Sequence, residues 1–297
     1  MMLPPITSRS DYVAVYTDDE TWLPAMRVIC ARLRLDPAGL HRLGLGTHLV
    51  FRSGRTVVKL FCPLWPQDYP AEKAALEVVR GLPVPGLIAT GILEEWPYML
   101  MTAVSGVPAE DVWADLDGGE QAAIISQLGG LMRKLHQHSP IAQLATDWHA
   151  FLEERLSLWQ EHHKPAEPWT SWLAERLDHF AEPPFEPVLL HADITEDNLL
   201  LSKSGSRWRI SGFIDFGDAM MGHPYYEFIT PLTFYTLGRP QLSRLLLDSY
   251  GLELTPERAR RLTTYCFLHR FGRLSDYLAH YPMADGPAFH QALWGNI

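Results

Sequence analysis

Leu190-His191-Ala192-Asp193-Ile194-Thr195-Glu196-Asp197-Asn198, followed further on by Ile214-Asp215-Phe216-Gly217, is the stretch on which the reading of this 297-residue chain turns. Asp193 and Asn198 have four residues between them, the spacing at which a phosphoryl-transfer loop sets a proton-accepting carboxylate beside a metal-binding amide oxygen. Asp215 adds a second hard oxygen for magnesium. Asn198 to Leu201 and Trp208 to Ile214 read as strands joined across Lys203-Ser204-Gly205-Ser206, a hairpin that returns Asp215 to the neighbourhood of Asp193 and Asn198. Each residue alone reads as a helix cap or a turn. Together, in this order, they read as chemistry: Asp193 orients an acceptor hydroxyl and takes its proton, while Asn198 and Asp215 hold magnesium against phosphate oxygens.

Such a site needs a cation for the phosphates, and Lys59 stands on an apolar strand where Val57, Lys59 and Phe61 share a face. Glu72, on the helix that follows, is its expected partner. Gly44-Leu45-Gly46-Thr47 lies just before a strand, where backbone amides can cover phosphates, although neither a Walker A sequence nor a dinucleotide fingerprint is present. Met101-Thr102-Ala103-Val104 joins a strand-rich half to a helical half and offers backbone groups to an adenine edge.

The remaining pattern predicts an α+β chain. A helix over 20–35 precedes a hairpin of Leu49 to Phe51 and Thr56 to Phe61, and a helix over 71–80 precedes strands over 87–93 and 98–103. From 109 onward the periodicity is helical at 119–137, 147–162, 169–180, 223–250 in two pieces and 256–280. A Ser105-Gly106-Val107-Pro108 turn sets the division at 104/105: a nucleotide-binding unit over 1–104 with its hinge, and a helical unit over 105–297 with the catalytic loop and acceptor pocket. His136 and His138, two apart on a helix, do not share a face and make no metal pair. His162 and His163 fall at a helix end, where a cation suits the dipole. Trp148, Trp159, Trp169 and Trp172 read as packing residues.

Composition limits the partners. A formal charge of −10 and no Lys/Arg cluster argue against a nucleic acid, and an acidic balance suits a cationic small molecule. No stretch has the apolar length of a signal peptide or a membrane span, so a cytoplasmic protein with no membrane partner is expected. Cys30, Cys62 and Cys266 are dispersed, without a Cys-x-x-Cys pair, and are expected to be buried, reduced thiols.

These residues resemble the aminoglycoside phosphotransferase family, protein-kinase-like small-molecule kinases that include antibiotic, choline and homoserine kinases. The resemblance runs from the glycine loop through Val58-Lys59-Leu60-Phe61, Glu72, Leu82-Pro83-Val84-Pro85 and Leu135-His136 to the C-terminal helices. Within the family the chain is most similar to hygromycin B phosphotransferases, on Lys59-Leu60-Phe61 with Trp65, Trp96-Pro97-Tyr98, Phe267-Leu268-His269 and Leu293-Trp294-Gly295. The resemblance implies a bilobal protein-kinase-like fold with a five-stranded antiparallel N-lobe and a mostly helical C-lobe, ATP or GTP with Mg2+, and a monomer or weak dimer. It makes Asp193 the base, Asn198 and Asp215 metal ligands, Lys59 and Glu72 the phosphate pair, Gly44, Gly46 and Thr47 the phosphate loop, and Thr102 and Val104 the hinge. Ala192 stands where the family usually has glycine, His223-Pro224 where Gly-Asp-Pro is usual, and Glu227 where Asp often follows the tyrosine. Asp218, Glu227, Phe234 and Tyr235 are the acceptor-pocket candidates. The implied activity is phosphorylation of a hydroxyl on an aminoglycoside such as hygromycin B, conferring resistance, or else of a choline-, homoserine- or sugar-type metabolite. A catalytically dead module is disfavoured because Lys59, Asp193 and Asp215 are all kept.

Overall fold

The computed structural model describes residues 2–44, 46–162, 167–177, 180 and 182–297. His163 and the side chain of His162 lie outside the described residues, as do Leu45 of the glycine loop and part of the helix expected over 169–180.

Two helices open the chain, α1 (Arg9–Tyr16) and α2 (Asp19–Leu33). Ser8 and Asp11 form a reciprocal capping box on α1, which satisfies backbone donors the helix leaves open. On α2, Trp22, Ala25, Met26, Ile29 and Cys30 recur at helical spacing and are all buried, so one stripe packs inward. That stripe covers one face of an antiparallel sheet made of β1 (His41–Arg42), β2 (Leu49–Ser53), β3 (Thr56–Leu60), β4 (Leu87–Leu93) and β5 (Trp96–Thr102), in the order β1-β2-β3-β5-β4. Strand alternation sorts the side chains. Val58, Leu60, Tyr98 and Leu100 join the core under α2, whereas Phe61, Met99 and Met101 join the core that continues into the helical half. Lys59, paired with Met99 in the register, is carried to that second face. Helix α3 (Asp68–Val78) follows and buries Ala71, Glu72, Ala74, Ala75 and Leu76.

The C-terminal lobe is built on α4 (Gly118–His136), α5 (Trp148–His162) and α6 (Trp169–Leu177), and its strands are short. β6 (Val107–Pro108) pairs with β8 (Leu199–Ser204), which forms a hairpin with β9 (Arg207–Phe213). β7 (Val188–Leu190) pairs with β10 (Met220–Gly222), a ribbon absent from the sequence expectation. Trp148, Trp159, Trp169 and Trp172 are buried in this lobe's core, and the three cysteines are buried and free. The fold is α+β and bilobal, as expected. Among the described residues, no helix is long and apolar enough to cross a membrane.

The helical stretches expected over 223–250 and 256–280 are both divided, the first as expected and the second not. Residues 223–250 divide into α7 (Pro224–Glu227), a wide turn at Pro231–Tyr235 and α8 (Pro240–Tyr250). Residues 256–280 divide into α9 (Pro256–Leu268) and α10 (Leu274–His280), with α11 (Gly286–Trp294) closing the chain. The second break depends on a glycine. Gly272 lies so close to the Cys266 carbonyl that a Cβ there would collide with its oxygen, an approach only glycine permits. The break turns Arg270 and Arg273 out of the helical register, which the apolar periodicity of α9 gives no reason to expect.

Candidate active site

The loop between β7 and β8 carries Asp193 and Asn198, and the turn just after β9 carries Asp215. Both backbones are strained: Ala192 has φ +62° and Asp215 φ +64°, a left-handed conformation that costs a non-glycine residue about 1–2 kcal/mol. Hydrogen bonds hold it. The amides of His191 and Ala192 donate to the two carboxylate oxygens of Glu227, at 2.7 and 2.9 Å. His191 Nε2 meets the Ile214 carbonyl at 2.9 Å and Nδ1 meets the Asp193 amide at 3.3 Å. One ring nitrogen therefore donates and the other accepts, which makes the imidazole neutral, and burial pushes its pKa down in the same direction. Ile214 also donates to the Asn198 carbonyl at 3.0 Å, so the two loops are stitched together.

Asn198 Nδ2 donates to the Asp193 carboxylate at 2.8 Å and to its carbonyl at 3.0 Å. That fixes the amide with its oxygen left over as a ligand. Burial, then the neighbouring Asp215 and Asp197, push the Asp193 carboxyl up to about 7. A carboxyl so placed is a stronger base than an ordinary one and is half ionised near neutral pH.

Lys59 Nζ lies 2.7 Å from Glu72 Oε2 and 2.7 Å from Asp215 Oδ1. The lysine and Glu72 are buried, while the Asp215 side chain is 40% exposed, so the cluster opens to the cleft on the Asp215 side. Burial alone would lower the Lys59 pKa, yet Asp215 and Glu72 together hold it above the ordinary value. Burial likewise works against Asp215, and Lys59 overrides it, bringing the carboxyl down to about 2. Among the described residues no three His, Cys, Asp or Glu side chains gather as a metal site. The donor set fits magnesium nonetheless, since that ion takes one or two protein oxygens and completes its shell with phosphates and water.

Gly44, Gly46 and Thr47 are exposed, and a Cβ on either glycine would meet nothing within 4 Å. Helix α1 grips this loop: the Gly46 amide donates to the Tyr16 hydroxyl at 2.6 Å, and the Tyr12 hydroxyl donates to the Thr47 carbonyl at 3.0 Å. At the hinge, the Thr102 amide donates to Gly86 and the Ala103 amide to Arg55, both at 2.9 Å. Thr102 therefore has no amide to give a base. Val104, whose amide and carbonyl make no backbone bond among the described residues, does.

Two acceptor-pocket candidates, Glu227 and Tyr235, are buried within the fold. Glu227 is fully buried, holding the catalytic loop from below and meeting His136 Nε2 at 3.4 Å, with Tyr250 on the other ring nitrogen at 2.8 Å. Tyr235 is buried, donates to the Thr195 carbonyl at 2.8 Å and packs edge-on against Trp113. Asp218 is paired with Arg270. The open wall beside Asp193 keeps one candidate, Phe234, and is otherwise made of other residues. A cavity of about 490 Å3 is lined there by Glu110, Glu196, Asp197 and Asp276, with Phe234 and Phe271 on its apolar side and Arg273 as its one cation. Burial, followed by neighbouring carboxylates, pushes Glu110 and Glu196 up, the mark of carboxylates crowded together. The pair Glu196-Asp197, inside the loop itself, was the available signal for it; Glu110 and Asp276 had none. A larger cavity, about 690 Å3, lies between α5 and residues 182–187, away from Asp193, and its Glu182 is already held by His223, Arg261 and Tyr265.

Comparison with solved structures places the fold. APH(2")-IIia, solved with GDP and kanamycin, matches with a TM-score of 0.70 at 18% identity over 87% of this chain and 95% of that one. APH(2")-IIa, solved with streptomycin and ATP, matches at 0.59 with 16% identity over 89% and 96%. A thermostable mutant of aminoglycoside phosphotransferase APH(4)-Ia, solved with AMP-PNP and hygromycin B, matches at 0.56 with 20% identity over 81% and 86%. No curated protein matches the chain by sequence. The model of the APH family, described as a phosphotransferase enzyme family, matches residues 46–262. That match spans both lobes, the Lys59 cluster and the catalytic loop, and the chain belongs to the phosphotransferase enzyme family.

Proposed function

We propose that this enzyme transfers the γ-phosphate of ATP or GTP to a hydroxyl of a cationic small molecule of the aminoglycoside class, with hygromycin B as the first candidate. The acidic wall beside Asp193 carries this reading, because closely spaced carboxylates attract an amine-rich ligand that relieves their repulsion. Asp193 takes the acceptor proton. Lys59, positioned by Glu72, holds the nucleotide phosphates, with Gly44, Gly46 and Thr47 over them and Val104 at the base. Asn198 and Asp215 hold magnesium, which supplies charge neutralisation at the phosphate oxygens. The nucleotide-binding lobe ends at residue 104 and the acceptor lobe begins at 105. The test is ATP consumption by the purified protein across a panel of aminoglycosides, with the product phosphomonoester located by NMR. No turnover on any member, with turnover on a choline-like amine, hydroxy acid or sugar, discards the antibiotic reading. That second reading, a metabolic kinase of the same fold, has one observation in its favour: an arginine-lined cavity adjoins the acidic one.

A further inference from the structure

The break between α9 and α10 opens a second cavity of about 430 Å3, which shares Arg273 with the acidic one. Its polar wall is Arg155 from α5 with Arg270 and Arg273 from the break, and its apolar wall is Leu158, Trp159 and Phe267. Among the described residues, no Asp or Glu lines it. In a chain of net charge −10, the sign of the wall inverts from one cavity to the next.

Arg155 donates Nε to the Leu268 carbonyl at 3.2 Å and Nη2 to the His269 carbonyl at 3.3 Å. Neutral carbonyls fix the guanidinium without cancelling its charge and leave several of its five N–H groups over. Among the described residues neither Arg155 nor Arg273 has a carboxylate within ion-pair distance. Arg270 is shared with Asp218, and Asp193, Asp68 and Glu154 face it at longer range. Burial and the charge of Arg155 both work against the Arg270 guanidinium. Two such groups facing one partly buried space are stabilised by an anion between them, and the planar guanidinium fork matches a carboxylate or oxyanion ester with paired bonds. The volume argues for a group carried on a larger body, since it falls in the range that takes a small organic ligand.

We propose that this cavity seats an anionic group of the acceptor, which would favour the metabolic-kinase reading of the site over the aminoglycoside one and make the substrate dipolar: its amine lies against Glu110, Glu196 and Asp276, its hydroxyl at Asp193, and its carboxylate or oxyanion ester between Arg155 and Arg270. The hydroxyl assignment rests on the phosphotransferase reading of the site; the anion site does not. Binding is therefore measured first, on the full chain without nucleotide or metal. Sodium sulfate is titrated at constant ionic strength while the arginine Nε–H signals are followed by NMR. The expected result is a saturable shift of the Arg155 and Arg270 signals, with affinity lower by about tenfold or more in Arg155→Gln and partly restored in Arg155→Lys. A shift that never saturates, or the same affinity in Arg155→Gln, overturns the site.

Turnover is measured second, on matched acceptors such as glucosaminate and glucosamine. The carboxylate partner is expected to have the higher kcat/KM by about tenfold, the advantage vanishing in Arg155→Gln. An equal or lower value for glucosaminate in the wild type, with sulfate still bound, overturns the dipolar acceptor and leaves a site for a free anion. ATP untouched with every acceptor breaks the phosphotransferase reading instead, and the sulfate titration then decides the anion site by itself.

Discussion

The underside of the catalytic loop and its acceptor face are built in opposite ways. Below, buried polar groups hold the strained backbone: Glu227 takes two amides, His191 bridges to Ile214, Tyr235 caps Thr195, and His136 and Tyr250 support Glu227 in turn. Above, Glu110, Glu196, Asp197 and Asp276 surround an open cavity beside Asp193, with one arginine among them. A buried network is stable only when its bonds are complete, so its residues are closely constrained. An open wall is completed by its ligand. The reaction therefore resides in the constrained layer, and the choice of acceptor in the open one.

Changes below should disturb the chemistry for every acceptor alike, and changes above should discriminate between acceptors. After loss of the catalytic base itself, the largest effect is expected at the phosphate lysine, where Lys59→Met should lower kcat/KM for ATP by about a hundredfold or more. A steady-state comparison with two different acceptors checks that the loss is the same for both. Glu227→Gln comes next. It replaces a carboxylate that accepts two backbone bonds with a group that has one acceptor and one clashing donor. Stability is expected to drop by about 2–4 kcal/mol in urea unfolding, with kcat falling and acceptor KM unmoved. A selective rise in acceptor KM would return Glu227 to the pocket wall.

The pH profile gives a third test. Asp193 must be ionised to accept a proton, and its pKa is raised to about 7. Activity is therefore lost as pH falls through that value, and kcat/KM should climb about tenfold per pH unit below it before levelling. A profile flat from pH 5 to 8 breaks the assignment of that carboxyl. The smallest effect is expected at Ala192, whose φ of +62° suits glycine. Ala192→Gly removes about 1–2 kcal/mol of strain and adds about 0.4–1 kcal/mol of unfolded-chain entropy. A net gain of about 0.5 kcal/mol in thermal unfolding is the outcome, with kinetics unchanged.

The sequence carries these two layers unequally. Lys59, Glu72, Asp193, Asn198 and Asp215 are legible because their types and spacings are demanded by one reaction, and the structure brings all five together. Strand alternation also places Lys59 on the correct face. Glu227 is visible as a charged residue after Tyr226, but its partners are backbone amides 35 and 36 residues upstream, and no local pattern encodes such a contact. Tyr235 is misplaced for the same reason. Arg270 and Arg273 are hidden because apolar periodicity continues across residues 256–280, and the close approach that Gly272 permits to the Cys266 carbonyl leaves no mark in that periodicity. Helix α1, which grips the glycine loop through Tyr12 and Tyr16, is too weakly patterned to be read.

The central claim is that Asp193 performs the proton transfer in a phosphotransferase whose nucleotide site is built separately around Lys59. It is tested most directly by Asp193→Ala, with ATP binding measured by calorimetry beside turnover on an accepted substrate. The account predicts ATP affinity within about twofold of the wild type and turnover lowered by about a thousandfold, in the range set by losing a positioned general base. Turnover that survives the substitution unchanged would contradict it.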